Sequence, residues 1–193
     1  MTPKIYKQQL LNELYAPYQK CKECPLGFLG RKNVVFGEGN PDAKLMFIGE
    51  APGKDEDEQG RPFVDRSGQL LNKALLLVGI DRSEIFITNI VKCRPPNNRL
   101  PEPIEANTCK SILLFNQIKI VRPQIICTLG SFAIQSLMQQ VLQITKIRGS
   151  LLEKDGMLII PTYHPSYILR NVKQSPYLID DLKLVALKLN NLN

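Results

Sequence analysis

The chain has 193 residues, 44% of them hydrophobic, which is enough to bury the core of one domain, while two domains would be crowded. No apolar run approaches the length of a membrane span, so we expect a soluble protein with no membrane partner. The chain carries 25 Lys and Arg residues against 18 Asp and Glu residues. The resulting formal charge of +7 favours an anionic partner, most commonly nucleic acid.

The first twenty residues predict an amphipathic helix. Between residues 5 and 20, apolar side chains recur with the 3.6-residue period of a helix, at Leu11, Leu14, Tyr15 and Tyr18. The segment lacks the uninterrupted apolar stretch of a secretory signal peptide. We therefore expect a cytoplasmic protein, in a compartment where thiols stay reduced.

Beyond this helix, predicted strands alternate with predicted helices. Strands are predicted at residues 44–48, 85–90 and 124–129, with a hairpin at residues 151–160 that turns at Asp155-Gly156. Helices are predicted at residues 67–78, 102–120, 131–140 and 177–189, and loops at residues 50–66, 94–99 and 164–170. The alternation predicts an α/β fold, a single three-layer α/β/α domain over residues 1–193 around a central, mostly parallel sheet. Residues 1–30 would form an N-terminal helix and a cysteine-bearing arm.

Four cysteines have the spacing of a metal site. Cys21 and Cys24 form a Cys-x-x-Cys pair, and Cys93 and Cys109 follow with 15 residues between them. In a reducing compartment such thiols bind metal more often than they pair as disulfides. The residues leave zinc and a 4Fe–4S cluster open, because both accept four thiolates. Cys127, inside an apolar run, is expected to be a small buried hydrophobic residue.

Polar residues gather where the predicted strands end, and ligands of parallel sheets bind beyond the carboxyl ends of the strands. The first strand leads into Gly49-Glu50-Ala51-Pro52-Gly53, a tight turn that would bring backbone N–H groups to a ligand and project the Glu50 carboxylate. An ordinary turn with a solvated glutamate is the alternative interpretation. For the charged run at residues 54–58, a solvated segment is a sufficient interpretation from the residues alone.

Three further residues carry chemistry at these ends. Phe63 places an aromatic ring in a polar loop, either as a stacking platform or as a cap on the core. Asn89 ends a strand with an amide that donates and accepts side by side, the pattern that reads a nucleobase edge, although Asn is also a common turn former. His164, the only histidine, lies in a Pro-stiffened loop of the kind that often holds catalytic groups. The same loop offers a hydroxyl, apolar wedge candidates and a basic residue, namely Ser166, Tyr167, Ile168, Leu169 and Arg170.

Together these residues resemble the family 4 uracil-DNA glycosylases, the iron–sulfur branch of that superfamily. The resemblance extends over residues 21–189 and is carried by residues 49–53, 60–64, 88–96 and 164–170 in their order and spacing, together with the four spaced cysteines. It implies a structural 4Fe–4S cluster rather than zinc, with four ligands: Cys21, Cys24, Cys93 and Cys109.

The resemblance also implies a reaction, hydrolysis of the N-glycosidic bond that joins uracil to deoxyribose. Glu50 would activate water and His164 would bind a uracil carbonyl oxygen, both as catalytic residues. Phe63 would stack on the base, Asn89 would read its edge, and Glu56 would lie beside its C5 atom. The implied substrate-binding residues are Gly49, Ala51, Gly53, Glu56, Phe63 and Asn89.

The implied partner is uracil-containing DNA, single-stranded or with uracil opposite G or A, and the base must leave the stack to react. Tyr167 or Leu169 would fill the space that the base vacates. The implied DNA-binding residues are Ser166, Tyr167, Leu169, Arg170 and Arg148. Arg148 and its neighbour Lys146 are equally well interpreted as surface charges.

Asp65 departs from the family pattern, because Gly is common at this position in the family. The alternative to a glycosylase is an iron–sulfur or zinc DNA-binding module without glycosylase activity, and a third hypothesis is a redox protein. The presence of Glu50, Asn89 and His164 together favours the enzyme. We expect a monomer.

Overall fold

The computed structural model describes residues 2–192 and contains a six-stranded sheet. Its strands are β1 (Glu38–Gly39), β2 (Leu45–Gly49), β3 (Phe86–Asn89), β4 (Ile125–Leu129), β5 (Leu152–Lys154) and β6 (Met157–Thr162). The order across the sheet is β1-β3-β2-β4-β6-β5. The four central strands are parallel, and the two edge strands pair antiparallel to their neighbours. The predicted α/β fold with a mostly parallel sheet is confirmed.

Helices cover both faces of this sheet. They are α1 (Pro3–Tyr15), α2 (Lys54–Gln59), α3 (Arg66–Leu77), α4 (Pro103–Cys109), α5 (Phe115–Val121), α6 (Ser131–Met138), α7 (Ile144–Ile147), α8 (Pro165–Arg170) and α9 (Ser175–Asn190). Met46 and Ile48 of β2 belong to a core shared with α1, α5 and α6, whereas Leu45 and Phe47 face α3, α8 and α9. Successive strand residues point to opposite faces, so a strand covered on both faces is apolar throughout.

The register of the parallel strands aligns their carboxyl ends. Gly49 is paired with Asn89 across β2 and β3, and Leu129 with Thr162 across β4 and β6. The residues that follow these ends therefore emerge on the same edge of the sheet, where parallel sheets bind ligands. Glu50 and His164 are among them.

The N-terminal arm packs against the sheet through aromatic and apolar contacts. Tyr15 stacks on Phe36 with ring centroids 4.7 Å apart, and its hydroxyl donates to the Val34 carbonyl at 3.0 Å. The Cys-x-x-Cys turn is followed by a short 3-10 helix, Pro25–Phe28, which buries Leu26 completely. The arm thus holds its cysteine pair against the body of the protein.

The charged run at residues 54–58 forms α2, so the loop predicted over residues 50–66 was wrong at this segment. Three of its charged residues are exposed, whereas Glu56 and Asp57 are buried. Asp57 is buried, and its carboxylate accepts hydrogen bonds from the backbone N–H groups of Lys32 and Asn33 at 3.0–3.1 Å. Acidic residues in the first turn also suit the positive end of the helix dipole. A carboxylate of the run therefore ties the N-terminal arm to the loop that follows β2.

Two other elements differ from the predictions. The helix expected at residues 102–120 is interrupted by a π-helical segment, Lys110–Leu114, between α4 and α5. The segment after His164, predicted as a loop, forms α8, because proline is compatible with the first turn of a helix and the His164 side chain caps its N-terminus. None of the helices described between residues 2 and 192 is long and apolar enough to cross a membrane.

Replacing Asp57 with Ala should lower the free energy of unfolding by about 1–3 kcal/mol, because the backbone N–H groups of Lys32 and Asn33 lose their buried charged acceptor. Urea denaturation measures the effect. Asp55→Ala, an exposed change in the same helix, is the matched control and should stay within about 0.5 kcal/mol of the parent. Equal midpoints for the two variants would contradict the assignment.

Candidate functional site

One open cleft lies at the carboxyl edge of the sheet. It is formed by the turn after β2, the loop before α3, the loop after β3, and the first turns of α6 and α8. Among the predicted site residues it brings together Glu50, Ala51, Gly53, Glu56, Phe63, His164, Ser166, Tyr167 and Arg170. Gly49 and Asn89 are buried next to Phe63 rather than on the open wall, and Leu169 and Arg148 are not among the lining residues.

Asn89 has a buried side-chain amide without a hydrogen-bond partner. Within residues 2–192, neither its Nδ2 nor its Oδ1 atom is paired, and the residue is 1% exposed. Gly49 makes room for this amide, since a Cβ there would lie 2.3 Å from Asn89 Oδ1 and 2.6 Å from Phe63 Cζ. Buried polar atoms are normally satisfied, and the exceptions call for a ligand or a water. A donor and an acceptor are therefore available side by side, next to an aromatic ring.

Phe63 is held in a backbone conformation that few side chains adopt. Its φ of 53° lies in the left-handed region, which in a bulky residue costs about 1–3 kcal/mol and is concentrated at functional sites. Its N–H donates to the Glu56 carboxylate, and the preceding Pro62 carbonyl accepts from Arg82 at 3.0 Å. The ring packs in the core and also lines the cleft, and its role as a stacking platform stays a prediction.

Glu56 is buried, contrary to the expectation for the charged run. Its two carboxylate oxygens accept hydrogen bonds from the backbone N–H groups of Gly53, at 2.5 Å, and Phe63. Burial raises the pKa of Glu56 to about 7, against the lowering effect of these hydrogen bonds. The carboxylate joins the two loops that frame the cleft, and its oxygens are already engaged by protein donors.

His164 lines the cleft, and one of its ring nitrogens is engaged by Ser166. Its Nδ1 accepts a hydrogen bond from the Ser166 backbone N–H at 3.1 Å and lies 2.8 Å from the Ser166 hydroxyl. This geometry assigns the proton of the neutral ring to Nε2. Burial lowers the pKa of His164 to about 4, with Arg170 adding to the effect and Asp65 opposing it. The imidazole is therefore neutral at pH 7.

Glu50 lies on the cleft wall with a half-buried carboxylate. Burial raises its pKa above the ordinary value, and no hydrogen bond or ion pair to its side chain is found within residues 2–192. A carboxylate in such surroundings is a stronger base than one in water. It is available to a water molecule or to a developing positive charge.

Asp65 has a structural role at the edge of the cleft. One oxygen accepts from the Gly68 N–H at 2.9 Å and from the Ser67 hydroxyl at 2.7 Å, which caps α3. Its negative charge also raises the pKa of Glu56 and opposes the lowering at His164. The departure from the family pattern thus supplies a helix cap and places one negative charge beside the catalytic candidates.

The residues predicted to contact DNA divide into two groups. Tyr167 and Arg170 line the cleft, and Leu169, 38% exposed, lies on the same short helix. Arg148 lies elsewhere, with its guanidinium 2.5 and 3.0 Å from the carboxylate oxygens of the buried Asp181 and 4.5 Å from the ring centroid of Tyr177. Its charge is already paired within the fold, which favours a structural role over contact with a phosphate.

The strand end at β4 also contributes to the cleft, which was not predicted from the sequence. Gly130, with a φ of 92°, follows β4, and a Cβ on it would lie 3.0 Å from His164 Cβ. The glycine therefore permits His164 to approach this strand end, and Ser131, Phe132 and Gln135 extend the cleft wall from there. A glycine directly after an apolar strand is the signal that identified Gly49, and it was also present at Gly130.

The four predicted ligand cysteines line a single recess at the junction of the arm, β3 and α4. All four are free thiols. Burial raises the pKa of Cys93 to about 12 and that of Cys109 to about 11, so these thiols ionise at neutral pH only when a cation binds them. No group of three or more His, Cys, Asp or Glu side chains within residues 2–192 is arranged to hold a single metal ion. The four-thiol recess fits the donor set that an iron–sulfur cluster takes.

Comparison with known proteins identifies the family of this chain. The family model described as "Uracil DNA glycosylase superfamily" matches residues 36–184. The chain belongs to the uracil DNA glycosylase superfamily. It is 46% identical over 167 residues to a Type-4 uracil-DNA glycosylase of Thermotoga maritima, which covers 86% of each chain. It is 43% identical to the Type-4 uracil-DNA glycosylases of Sulfurisphaera tokodaii, over 86% of this chain and 78% of the relative, and of Saccharolobus solfataricus, over 86% and 81%. The resemblance inferred from the motifs is confirmed.

In this superfamily member, replacing Gly49 with Ala should displace Asn89 and Phe63 and lower the free energy of unfolding by about 1–3 kcal/mol, the usual effect of overpacking. Urea denaturation measures it. Gly53→Ala is the matched control, since its nearest atom, Glu56 Oε2, is 3.3 Å away at the end of a side chain. If the control were destabilised as much as Gly49→Ala, the close approach at Gly49 would not be the cause.

The single histidine permits a direct titration of His164 by NMR. We expect a pKa of about 4, with the ring neutral and protonated on Nε2 above it. The folded-state pKa lies below the ordinary value of 6.5, so the unfolded chain binds the proton first. Stability should therefore fall as the pH decreases between these values. Titration near 6.5, or ¹⁵N shifts that show a proton on Nδ1, would contradict the geometry.

Proposed function

We propose that this protein removes uracil from DNA by hydrolysing the N-glycosidic bond, which leaves an abasic site. The observation that carries the proposal is the Asn89 amide, which is buried beside the Phe63 ring and has no hydrogen-bond partner among the described residues. An edge with one donor and one acceptor suits the carbonyl and N–H groups of uracil. Cytosine presents an amine where uracil presents a carbonyl, so the same amide geometry leaves donors facing each other and disfavours it.

The reaction separates charge, and the cleft has a group for each end. As the bond breaks, positive charge develops on the sugar and negative charge on the departing uracil. The Glu50 carboxylate, which has no partner among residues 2–192, would orient the attacking water and favour the cationic sugar. Because the carboxylate is half-buried, its interaction with the sugar is screened less than it would be in bulk water.

His164 would stabilise the leaving base as a neutral donor. The Nε2–H group would donate to the base, while the Ser166 N–H holds the ring through Nδ1. A donor that is already oriented needs no reorganisation when negative charge appears on the uracil oxygen. Phe63 would stack against the base in the same pocket, since its ring centroid is 5.9 Å from that of His164.

Access to this pocket requires that uracil leave the DNA stack. Extrusion costs a few kcal/mol and is least costly for an unpaired or mismatched base, so single-stranded and U·G substrates should react readily. Tyr167 and Leu169 of α8 would occupy the vacated space, and Arg170 and Ser166 would contact phosphates. The formal charge of +7 supports the approach of DNA.

The cysteine recess would hold a structural 4Fe–4S cluster through Cys21, Cys24, Cys93 and Cys109. When bound, the cluster joins the N-terminal arm to the loop after β3 and to α4, and it supplies no step of the hydrolysis. We further propose that the chain acts as a monomeric, single-domain protein of the cytoplasm, where thiols remain available for the cluster.

Uracil release from labelled oligonucleotides tests the proposed function. The protein should generate abasic sites at a single uracil in single strands and opposite G or A, and none at cytosine or thymine. Glu50→Gln should lower the rate by about 10²–10⁴-fold, because it keeps the shape of the carboxylate and removes its charge. Glu153→Gln, an exposed change on β5, is the matched control and should react at the parental rate.

A second measurement distinguishes the accessory-module hypothesis from the enzyme. If the folded, cluster-containing protein binds uracil-containing DNA but forms no abasic sites, a DNA-binding module without glycosylase activity is favoured. Equal rates for the parent and Glu50→Gln would instead remove Glu50 from the mechanism.

A further inference from the structure

The cleft continues into a second groove that runs along α6. Phe132 and Gln135 of α6 line both spaces. The segment that leads into α4 also passes from one space to the other, because residues 98–100 line the cleft and Pro101 lines the second groove. This second space, the α6 groove, has a volume of about 480 Å³. A molecule bound in the cleft can therefore extend along α6 and stay in contact with the protein.

The α6 groove differs from the cleft in its charge. Three carboxylates line the cleft, those of Glu50, Glu56 and Asp65. Among the described residues that line the α6 groove, none is acidic and the only charged one is Lys110. A polyanion is therefore repelled less along α6 than in the cleft. This charge distribution suits a nucleic-acid strand that leaves the cleft, because each of its nucleotides carries a negative phosphate.

Side-chain amides supply most of the polar groups of the α6 groove. Asn107, Gln139 and Gln140 are exposed, and no hydrogen bond to their side chains is found within residues 2–192. Gln135 is held in place, since its Nε2 donates to the Leu142 carbonyl at 2.8 Å. Amide side chains contact both the phosphates and the base edges of nucleic acids. The groove therefore offers polar contacts that do not depend on cationic residues.

Phe132 provides an aromatic ring where the cleft meets the α6 groove. The residue is half-buried, packs against the apolar core on one face of the sheet, and lines both spaces. Aromatic side chains are the common stacking platforms for unpaired strands, because every base has a flat π face. A strand that leaves the cleft along α6 meets this ring first.

We propose that the α6 groove binds the unpaired DNA strand beside the uracil nucleotide, with Phe132 stacking on the base next to uracil. This inference rests on the proposed function and adds a strand-binding site to it. A neighbouring base must be unpaired before it can stack on Phe132, and opening a further pair of a duplex costs free energy. Uracil in a single strand is therefore favoured over uracil opposite A.

A cycle of changes in the protein and in the substrate tests the stacking contact. The substrates are a uracil-containing single strand and two versions of it, in which the nucleotide 5′ or 3′ to uracil is replaced with an abasic tetrahydrofuran spacer. For the parent protein, one of the two spacers should raise the KM about tenfold, because a stacked base is lost. Phe132→Ala should raise the KM for the intact strand by a similar factor, and the same spacer should then have no further effect. The kcat should change little, since Glu50 and His164 are intact.

Phe115→Ala is the matched control for this cycle. Phe115 is also half-buried and packs against the same apolar core, but it lines a separate groove and not the cleft or the α6 groove. This variant loses an equivalent ring from the core, so it reports the effect of weaker packing alone. It should keep the parental KM and the parental response to the spacers.

A charge introduced into the α6 groove tests the same proposal without altering the core, and it decides the matter if Phe132→Ala does not fold. Gln140 is exposed and lines the α6 groove but not the cleft. Gln140→Glu should raise the KM for the single strand several-fold at low salt, and added salt should reduce the effect by screening. Gln124→Glu makes the same change at an exposed position before β4, at the opposite edge of the sheet, and should leave the KM unchanged.

Binding measured without turnover separates failure of this proposal from failure of the proposed function. Fluorescence anisotropy of a labelled single strand, whose uracil nucleotide carries a 2′-fluoro sugar, reports affinity alone, because fluorine disfavours positive charge on the sugar and the base is retained. If the parent releases no uracil, the proposed function fails. Weaker binding of this strand by Phe132→Ala than by Phe115→Ala would still support the α6 groove.

Other outcomes would overturn the proposal. They are spacers that leave the parental KM unchanged, a spacer effect of equal size in the parent and in Phe132→Ala, and equal effects of Phe132→Ala and Phe115→Ala. Equal KM values for Gln140→Glu and Gln124→Glu would overturn it as well.

Discussion

The pairing of Gly49 with Asn89 across β2 and β3 is the constraint on which the site depends. Because Gly49 has no Cβ, the Asn89 amide and the Phe63 ring can both pack directly against it at the end of β2. Phe63 contributes its ring from a left-handed backbone, and the Glu56 carboxylate stabilises this backbone by accepting the Phe63 N–H. The pairing of β2 with β3 thus places an aromatic side chain, Phe63, next to a polar one, Asn89, at the end of the sheet.

Buried polar groups without full protein partners lower the stability of the fold, and several such groups lie at or next to this cleft. The Asn89 amide is unpaired, the Glu50 carboxylate has no protein donor among the described residues, and the imidazole of His164 is kept neutral by burial. The fold would be more stable if each of these groups had a hydrogen-bond or charge partner within the protein. All three groups lie at one edge of the sheet. This is expected for a site whose polar groups lower the stability of the fold but are already oriented to interact with a substrate.

Much of the fold and part of the site can be predicted from sequence, for physical reasons that individual residues illustrate. Apolar runs such as residues 44–48 predict strands, and the alignment of parallel strand ends then brings Glu50, Asn89 and His164 together. The buried acceptor roles of Glu56 and Asp57 could not be predicted, because their donors are backbone N–H groups distant in sequence or in another loop. The structural role of Arg148 could not be predicted either, because its ion pair with Asp181 depends on how α9 packs against the sheet. The sequence alone does not show whether a charged side chain contacts water, a phosphate or another residue of the protein.

The central claim is that the Asn89 amide recognises uracil, and its NMR signal in the presence of free uracil tests this most directly. The side-chain ¹⁵N–H₂ resonance of Asn89 can be assigned by its loss in Asn89→Ala. The account predicts that saturating uracil shifts this resonance and that cytosine at the same concentration leaves it unchanged. Uracil that inhibits release competitively without moving the Asn89 signal would contradict the account.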